Sequence, residues 1–292
     1  NNTQPHILID ELVAERELNA SQSLAFKIVA RHFFQELYGI EQPPLRLLMH
    51  GEAGTGKTVV VRLLREVLDR FGRSKDIMFL APTGKAAAAI GGVTQHSVFA
   101  LEIRQRGLSN EEAANVRDAC SARRLHYLQT TFKDIRWLFF DEVSMTSCEV
   151  MADIDQALRI GTQKLDEPFG GINVIFAGDL CQLPPVASSP LYTVKSGAAQ
   201  SAEVRTKIEL GRAAWLQLVE VVDFDQQMRM KDPQMAETLS RLRLREGTEA
   251  DADLFNGNVL RSRSNKAGAT LQAHTGAIAL ARTNETVRVL NL

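Results

Sequence analysis

Apolar positions along the chain switch between two spacings. From Asn19, the residues Leu24, Ala25, Ile28, Val29, Phe33 and Leu37 fall on one stripe, the recurrence of an amphipathic helix. Asn19-Ala20-Ser21 before Gln22 supplies a starting cap and Gly39 a stop. Pro43 and Pro44 separate this helix from an apolar run, Leu45 to His50, that reads as a strand. Beyond Thr58 the residues Val60, Leu64, Val67, Leu68 and Phe71 return to helical spacing, and Gly72 ends it.

The alternation continues downstream. A short strand (Ile77 to Leu80) precedes a helix-prone alanine run (Lys85 to Ile90) and a polar helical stretch reaching Lys133. The strong strand IRWLFF, a helix over Glu149 to Ile160 and the strand INVIFAG follow. Strands interleaved with helices predict an α/β fold, a parallel sheet covered by helices on both faces. There is no internal repeat and no low-complexity tract.

Composition narrows this only a little. A length of 292 residues favours about two domains. The 45% hydrophobic and 24% charged content excludes disordered and fibrous classes. A net charge of -1 leaves nucleic-acid binding open, because a local basic groove is compatible with an acidic remainder. No apolar run approaches the roughly 20 residues of a membrane helix, and NNTQPHILIDE has no signal-peptide character. The expected location is therefore inside the cell, with no membrane association. Cys120, Cys148 and Cys181 form no CxxC, so neither zinc nor a disulfide is indicated and all three are expected to be buried filler. The chain opens on Asn and stops in RTNETVRVLNL without a helix ending, and is expected to be an excerpt of a longer protein.

The chemistry begins where the first strand meets GEAGTGKT, Gly51 to Thr58. Three glycines in six positions imply a backbone that bends tightly or approaches something closely. The octet fits GxxxxGK[ST] between a strand and a helix, the context a phosphate-binding loop needs. Gly51, Glu52, Ala53, Gly54, Thr55 and Gly56 would present backbone N–H groups to a β-phosphate at a helix N-terminus. Lys57 would reach the β- and γ-phosphates and Thr58 would ligate Mg²⁺. Hydrolysis also needs a metal carboxylate and a group that orients water. The strand IRWLFF delivers Asp141 and Glu142 at its end, and we assign Asp141 to the metal and Glu142 to the water. The third strand ends near Gln182, which in a parallel sheet opens on the same edge and can approach a γ-phosphate.

The segments LNASQSLAF, GEAGTGKT, APTGKAAAAIGGVTQHSVF, FFDEVSM, FGGINVIFAGDLCQLPPV and RLRLREG together resemble the petite-integration-frequency family of superfamily I DNA helicases, with the RecD group as the nearest relative. The resemblance runs from Leu18 to Asn291. It implies ATP and Mg²⁺ as cofactors, single-stranded DNA as partner, 5′ to 3′ movement and a role in DNA repair, recombination or telomere and genome maintenance. It also implies a helical segment over residues 1–44 carrying the adenine-reading Gln22, and a first RecA-like ATPase domain over 45–225. A linker and the start of a second RecA-like domain would occupy 226–292.

Pro82, Thr83, Gly84, Thr94 and His96 match the family's DNA-contacting motif, and small residues with hydroxyls suit close approach to a sugar–phosphate backbone. Arg229 falls where the family has an arginine reaching the γ-phosphate, although Met228 and Met230 replace the usual aromatic and Gln neighbours. No stretch matches the motifs of a second RecA-like domain, so weak hydrolysis and no strand separation are expected of this chain alone. A monomer is expected, in the nucleus or mitochondrion of a eukaryote or the cytoplasm of a bacterium. Arg104, Arg106, Arg123 and Arg124 are read as a solvated helical face. Two other classes stay open: a P-loop switch or kinase, though Ser264-Asn265-Lys266-Ala267 lacks the acid of a guanine-reading NKxD, and a degenerate helicase module.

Overall fold

The computed structural model describes residues 5–101, 122–193, 201–230 and 232–257. The chain divides into two compact units, Asn1–Lys231 and Asp232–Leu292. The first is built on a six-stranded sheet in the order β3-β2-β4-β5-β1-β6. Its strands are β1 (Arg46–Gly51), β2 (Ile77–Ala81), β3 (Val93–Thr94), β4 (Trp137–Phe140), β5 (Asn173–Gly178) and β6 (Glu220–Phe224). All five strand pairings are parallel, as the alternation of strands and helices predicts.

Successive side chains of the inner strands feed opposite faces, which is why these strands read as continuous apolar runs. Leu47, Met49, Phe79, Trp137, Phe139, Ile175 and Ala177 join one core with α1 (Pro5–Glu15), α2 (Ala20–Leu37) and α3 (Lys57–Arg70). Leu48, Leu80, Leu138, Phe140, Val174 and Phe176 join a second core. There they meet residues 122–132, which are helical, the helix Cys148–Thr162 and the helix Ala202–Trp215. Phe140 and Phe176 stack across β4 and β5 with ring centroids 5.1 Å apart. The amino edge of β1 is fixed by Arg46, a buried cation whose guanidinium donates to the carbonyls of Leu45, Ile172 and Pro168. Burial holds its pKa down at about 10.

Between β2 and β4 lie α4 (Gly84–Ala89) and α5 (Gln95–Val98); numbering onward, α6 is Cys148–Thr162 and α7 is Ala202–Trp215. Within the second unit, α8 (Pro233–Arg243) and α9 (Glu249–Gly257) are joined by a polar knot on Asp251. Its carboxylate accepts from Thr238 Oγ1 (2.8 Å), Arg241 Nε (3.0 Å) and the Thr248 backbone N–H (2.9 Å). The expected start of a second RecA-like domain, and Arg104, Arg106 and Cys120, lie outside the described residues.

One expectation fails on the described residues. Cys148 is buried as expected, but Cys181 is exposed. It follows β5 in the loop at the carboxyl edge of the sheet, where its backbone N–H donates to Asp179 Oδ1 at 3.0 Å. A loop at that edge faces solvent rather than core, so the thiol is not part of the packed interior.

Candidate active site

The phosphate-loop octet leaves β1 at Gly51 and enters α3 at Lys57. Gly54 (φ +92°) and Gly56 (φ +88°) adopt left-handed backbone conformations, which glycine reaches without a Cβ penalty. A Cβ on Gly56 would run into Gln22 Nε2, and one on Gly54 would lie 2.7 Å from Arg229 Cβ. The Thr55 hydroxyl, buried, donates to the Glu52 carbonyl at 2.9 Å. Gly56, as N-cap, offers α3 no side-chain cap, so the first amides of the helix remain available to an anion. Lys57 Nζ folds back along the loop, donating to the carbonyls of Gly51 (2.6 Å) and Glu52 (2.8 Å).

The carboxyl ends of β4 and β5 bring in the acids and the amide. Lys57, Thr58, Asp141, Glu142, Gln182 and Arg229 all line one cleft of about 330 Å³, together with Ala53, Gly54 and Gly56. Glu142 has φ +51°, a strained conformation for a residue with a side chain, and its N–H donates to Asp141 Oδ1 at 3.0 Å. Burial raises the Asp141 pKa. Burial first, and then the neighbouring Asp141 charge, raises that of Glu142. Lys57 opposes both shifts. Two carboxylates held close with raised proton affinity form a cluster ready to gain a cation.

Arg229 reaches the cleft because its segment is pinned to the loop. Gln227 Nε2 donates to the Ala53 carbonyl (3.0 Å), the Met228 N–H to the Gly54 carbonyl (2.9 Å) and the Arg229 N–H to Gln227 Oε1 (3.0 Å). The docking uses the backbone of Met228, so its departure from an aromatic does not disturb it. Gln227 was not singled out from sequence; as one Gln in FDQQMRM it carries no periodic or motif signal.

Gln22 sits behind the loop and is buried. Its Oε1 accepts from the Asn19 N–H (3.2 Å), its backbone N–H donates to Asn19 Oδ1 (2.9 Å), and its Nε2 donates to the Thr55 carbonyl (3.2 Å). With Asn19 it forms a capping box on α2, so it braces the loop from the side away from the cleft lining. Gly51, Glu52 and Thr55 shape the loop and likewise do not line the cleft.

The residues matched to DNA contact lie along one side. Pro82, Thr83 and Gly84 follow β2, and Thr83 Oγ1 caps α4 by accepting from the Ala86 N–H at 3.2 Å. Thr94 pairs in register with Ala81, which sets the two halves of the motif side by side. His96 is exposed on α5. Between α4 and the loop after β5 runs a groove of about 740 Å³ lined by Thr83, Lys85, Ser144, Leu183 and Pro184, and also by Glu142 and Gln182. Thr94 and His96 stand outside its lining.

The donor set suits one hard cation. Among the described residues no group of three or more His, Cys, Asp or Glu side chains could hold a metal by itself. Asp141 and Thr58 share the cleft, and Mg²⁺ is commonly held by one or two carboxylates together with phosphate oxygens.

Comparison with known proteins places this arrangement. The family model described as PIF1-like helicase matches residues 17–261. The ATP-dependent DNA helicase PIF1 of Saccharomyces cerevisiae (strain YJM789) is 36% identical over 140 residues, 48% of this chain and 15% of that protein. The PIF1 of Emericella nidulans is 28% identical over 197 residues, 66% of this chain and 24% of that protein. In fold the chain is similar to Pif1 helicase from Candida albicans, with a TM-score of 0.57, 24% identity and coverage of 85% of this chain and 48% of that one. It is also similar to Bacteroides Pif1 bound to ssDNA, with a TM-score of 0.56, 24% identity and coverage of 85% and 51%. This chain therefore spans about half of those solved chains and under a third of the curated relatives cited. The sheet order, the phosphate loop and the match over residues 17–261 agree: the chain belongs to the PIF1-like helicase family.

Proposed function

We propose that the chain is the ATP-binding part of a DNA helicase or translocase that couples ATP hydrolysis to 5′ to 3′ movement on single-stranded DNA inside the cell. The observation that carries this reading is the sharing of Glu142 and Gln182 between the cleft and the groove. Residues poised to act on a γ-phosphate also border the groove that Thr83, one of the residues matched to DNA contact, lines. Displacement of the loop on one side therefore changes the other, the minimum a translocase needs.

The chemistry is divided among residues of the cleft. Lys57 leaves its loop carbonyls to meet the β- and γ-phosphates, and the α3 amides cradle the β-phosphate. Thr58 and Asp141 would hold Mg²⁺, which when bound would neutralise phosphate charge. Glu142 polarises the attacking water, Gln182 registers the γ-phosphate, and Arg229 stabilises charge that develops on it. Gln22 reads the adenine edge by leaving one of its present partners. Thr83 in the groove lining, with Pro82, Gly84, Thr94 and His96 beyond it, holds a DNA backbone without reading its bases.

The test is fluorescence anisotropy of a labelled single-stranded oligonucleotide with the intact protein, with and without a non-hydrolysable ATP analogue. The expected result is salt-sensitive binding that the analogue shifts and that Thr94→Ala together with His96→Ala weakens. Tight nucleotide binding with no oligonucleotide binding at low salt would instead put the chain among P-loop switches.

A further inference from the structure

His50 is the last side chain of β1 before the first loop glycine, and no motif draws attention to it. In the sheet it stands in register with Gly178 of β5 on one side and Asp223 of β6 on the other. Both neighbours lead directly into cleft-lining segments. Gly178 is followed by Asp179 and the turn to Gln182, and Asp223 by the stretch that delivers Arg229. The imidazole lies between these two strand ends. Its Nδ1 is 2.9 Å from Asp223 Oδ1, and its Nε2 is 4.0 Å from Asp179 Oδ1.

Two details make the second contact informative. Nε2 is buried and has no hydrogen-bond partner, and a buried polar atom left so is costly and calls for an explanation. Asp179 is only 3% exposed, and the oxygen that His50 faces also accepts from the Cys181 N–H at 3.0 Å. The Asp179 carbonyl in turn accepts from the Gln182 N–H at 2.9 Å. The turn that aims Gln182 thus hangs on Asp179, and His50 stands just beyond hydrogen-bond reach of it.

We infer that His50 is a positioning residue, a latch that in its imidazolium form donates from Nδ1 to Asp223 and, when the Gln182 turn moves toward a γ-phosphate, from Nε2 to Asp179. The contact satisfies Nε2 only in the closed arrangement, so its free energy favours the triphosphate-bound form over the diphosphate-bound form. This rests on the reading of the cleft as an ATP site with Gln182 at the γ-phosphate. His50 lies outside the cleft lining and acts through the turn.

The experiment measures the affinity of the intact protein for ADP and for a non-hydrolysable ATP analogue, by competition against a fluorescent ADP. It compares the natural protein with His50→Ala, His50→Gln, Asp179→Asn and the His50→Ala, Asp179→Asn double variant. The expected result is that His50→Ala cuts the preference for triphosphate over diphosphate by about tenfold while ADP affinity changes by less than about twofold. His50→Gln, which keeps a donor, restores part of the preference, and the double variant is no worse than His50→Ala because both remove one contact. An unchanged preference in His50→Ala, an equal loss for both nucleotides, or additive losses in the double variant would overturn the inference. Should His50→Ala not fold, His50→Gln and Asp179→Asn carry the comparison. If the natural protein binds neither nucleotide, the ATP-site reading itself fails and the latch falls with it.

Discussion

At the scale of single residues, the two acids of the cleft set stability against activity. Asp141 and Glu142 both have folded pKa values above the ordinary carboxylate range, mainly through burial. A raised carboxylate binds its proton more tightly in the folded chain. Its contribution to stability is therefore fully present below the ordinary value and lost as pH rises through the raised one. At neutral pH the ionised pair works against folding unless a cation joins it. Asp141→Asn should raise the melting temperature measured without divalent cation, and the gain should fade toward pH 4, while ATP turnover is lost. Glu142→Gln should lower turnover by about 10² to 10⁴ and leave nucleotide affinity nearly unchanged. A turnover close to the natural protein's in Glu142→Gln would remove that residue from the role of water-orienting base.

Elements differ in how plainly the sequence announces them, and the reason is burial. β1, β4 and β5 lie inside the sheet with apolar neighbours on both faces, so each reads as an apolar run. β3 has two residues, and β6 at the far edge leaves Glu220, Val221 and Asp223 exposed. Neither makes a pattern, and neither was legible. The helix Ala202–Trp215 was missed as well, although Ile208 and Trp215 are buried, while α1 falls within the helical segment expected over residues 1–44. The site shows the same division. Residues in or beside the glycine loop follow from local spacing, whereas His50, Asp179 and Gln227 acquire their places from strand register and loop docking, which no local window contains. The α8–α9 knot offers a pH test at this scale. The Arg241 guanidinium, then the Thr248 N–H, hold the Asp251 carboxyl far below the ordinary aspartate range. Its stabilisation is present above the ordinary value of about 3.9 and declines as pH falls below it. Amide exchange in α8 should accelerate on acidification below that point, and Asp251→Asn should exchange faster at neutral pH with a flatter acid response. An unaltered acid response in Asp251→Asn would show that the knot does not hold these helices.

For the whole molecule, one parallel sheet presents a cleft and a groove with Glu142 and Gln182 common to both, which we propose to be the nucleotide and DNA sites. The phosphate loop alone would serve a switch, a kinase or a motor equally well, and the shared border is what selects the motor. The fold class and most of the cleft were legible from motif order, while the shared border required the loops after β4 and β5 to be seen side by side. The most direct measurement is steady-state ATP hydrolysis by the intact protein with and without a single-stranded oligonucleotide, beside Glu142→Gln as the inactive control. Hydrolysis should rise severalfold with DNA and vanish in the control; hydrolysis indifferent to DNA, or equal in the control, would show that the cleft and groove do not work as a DNA-driven motor.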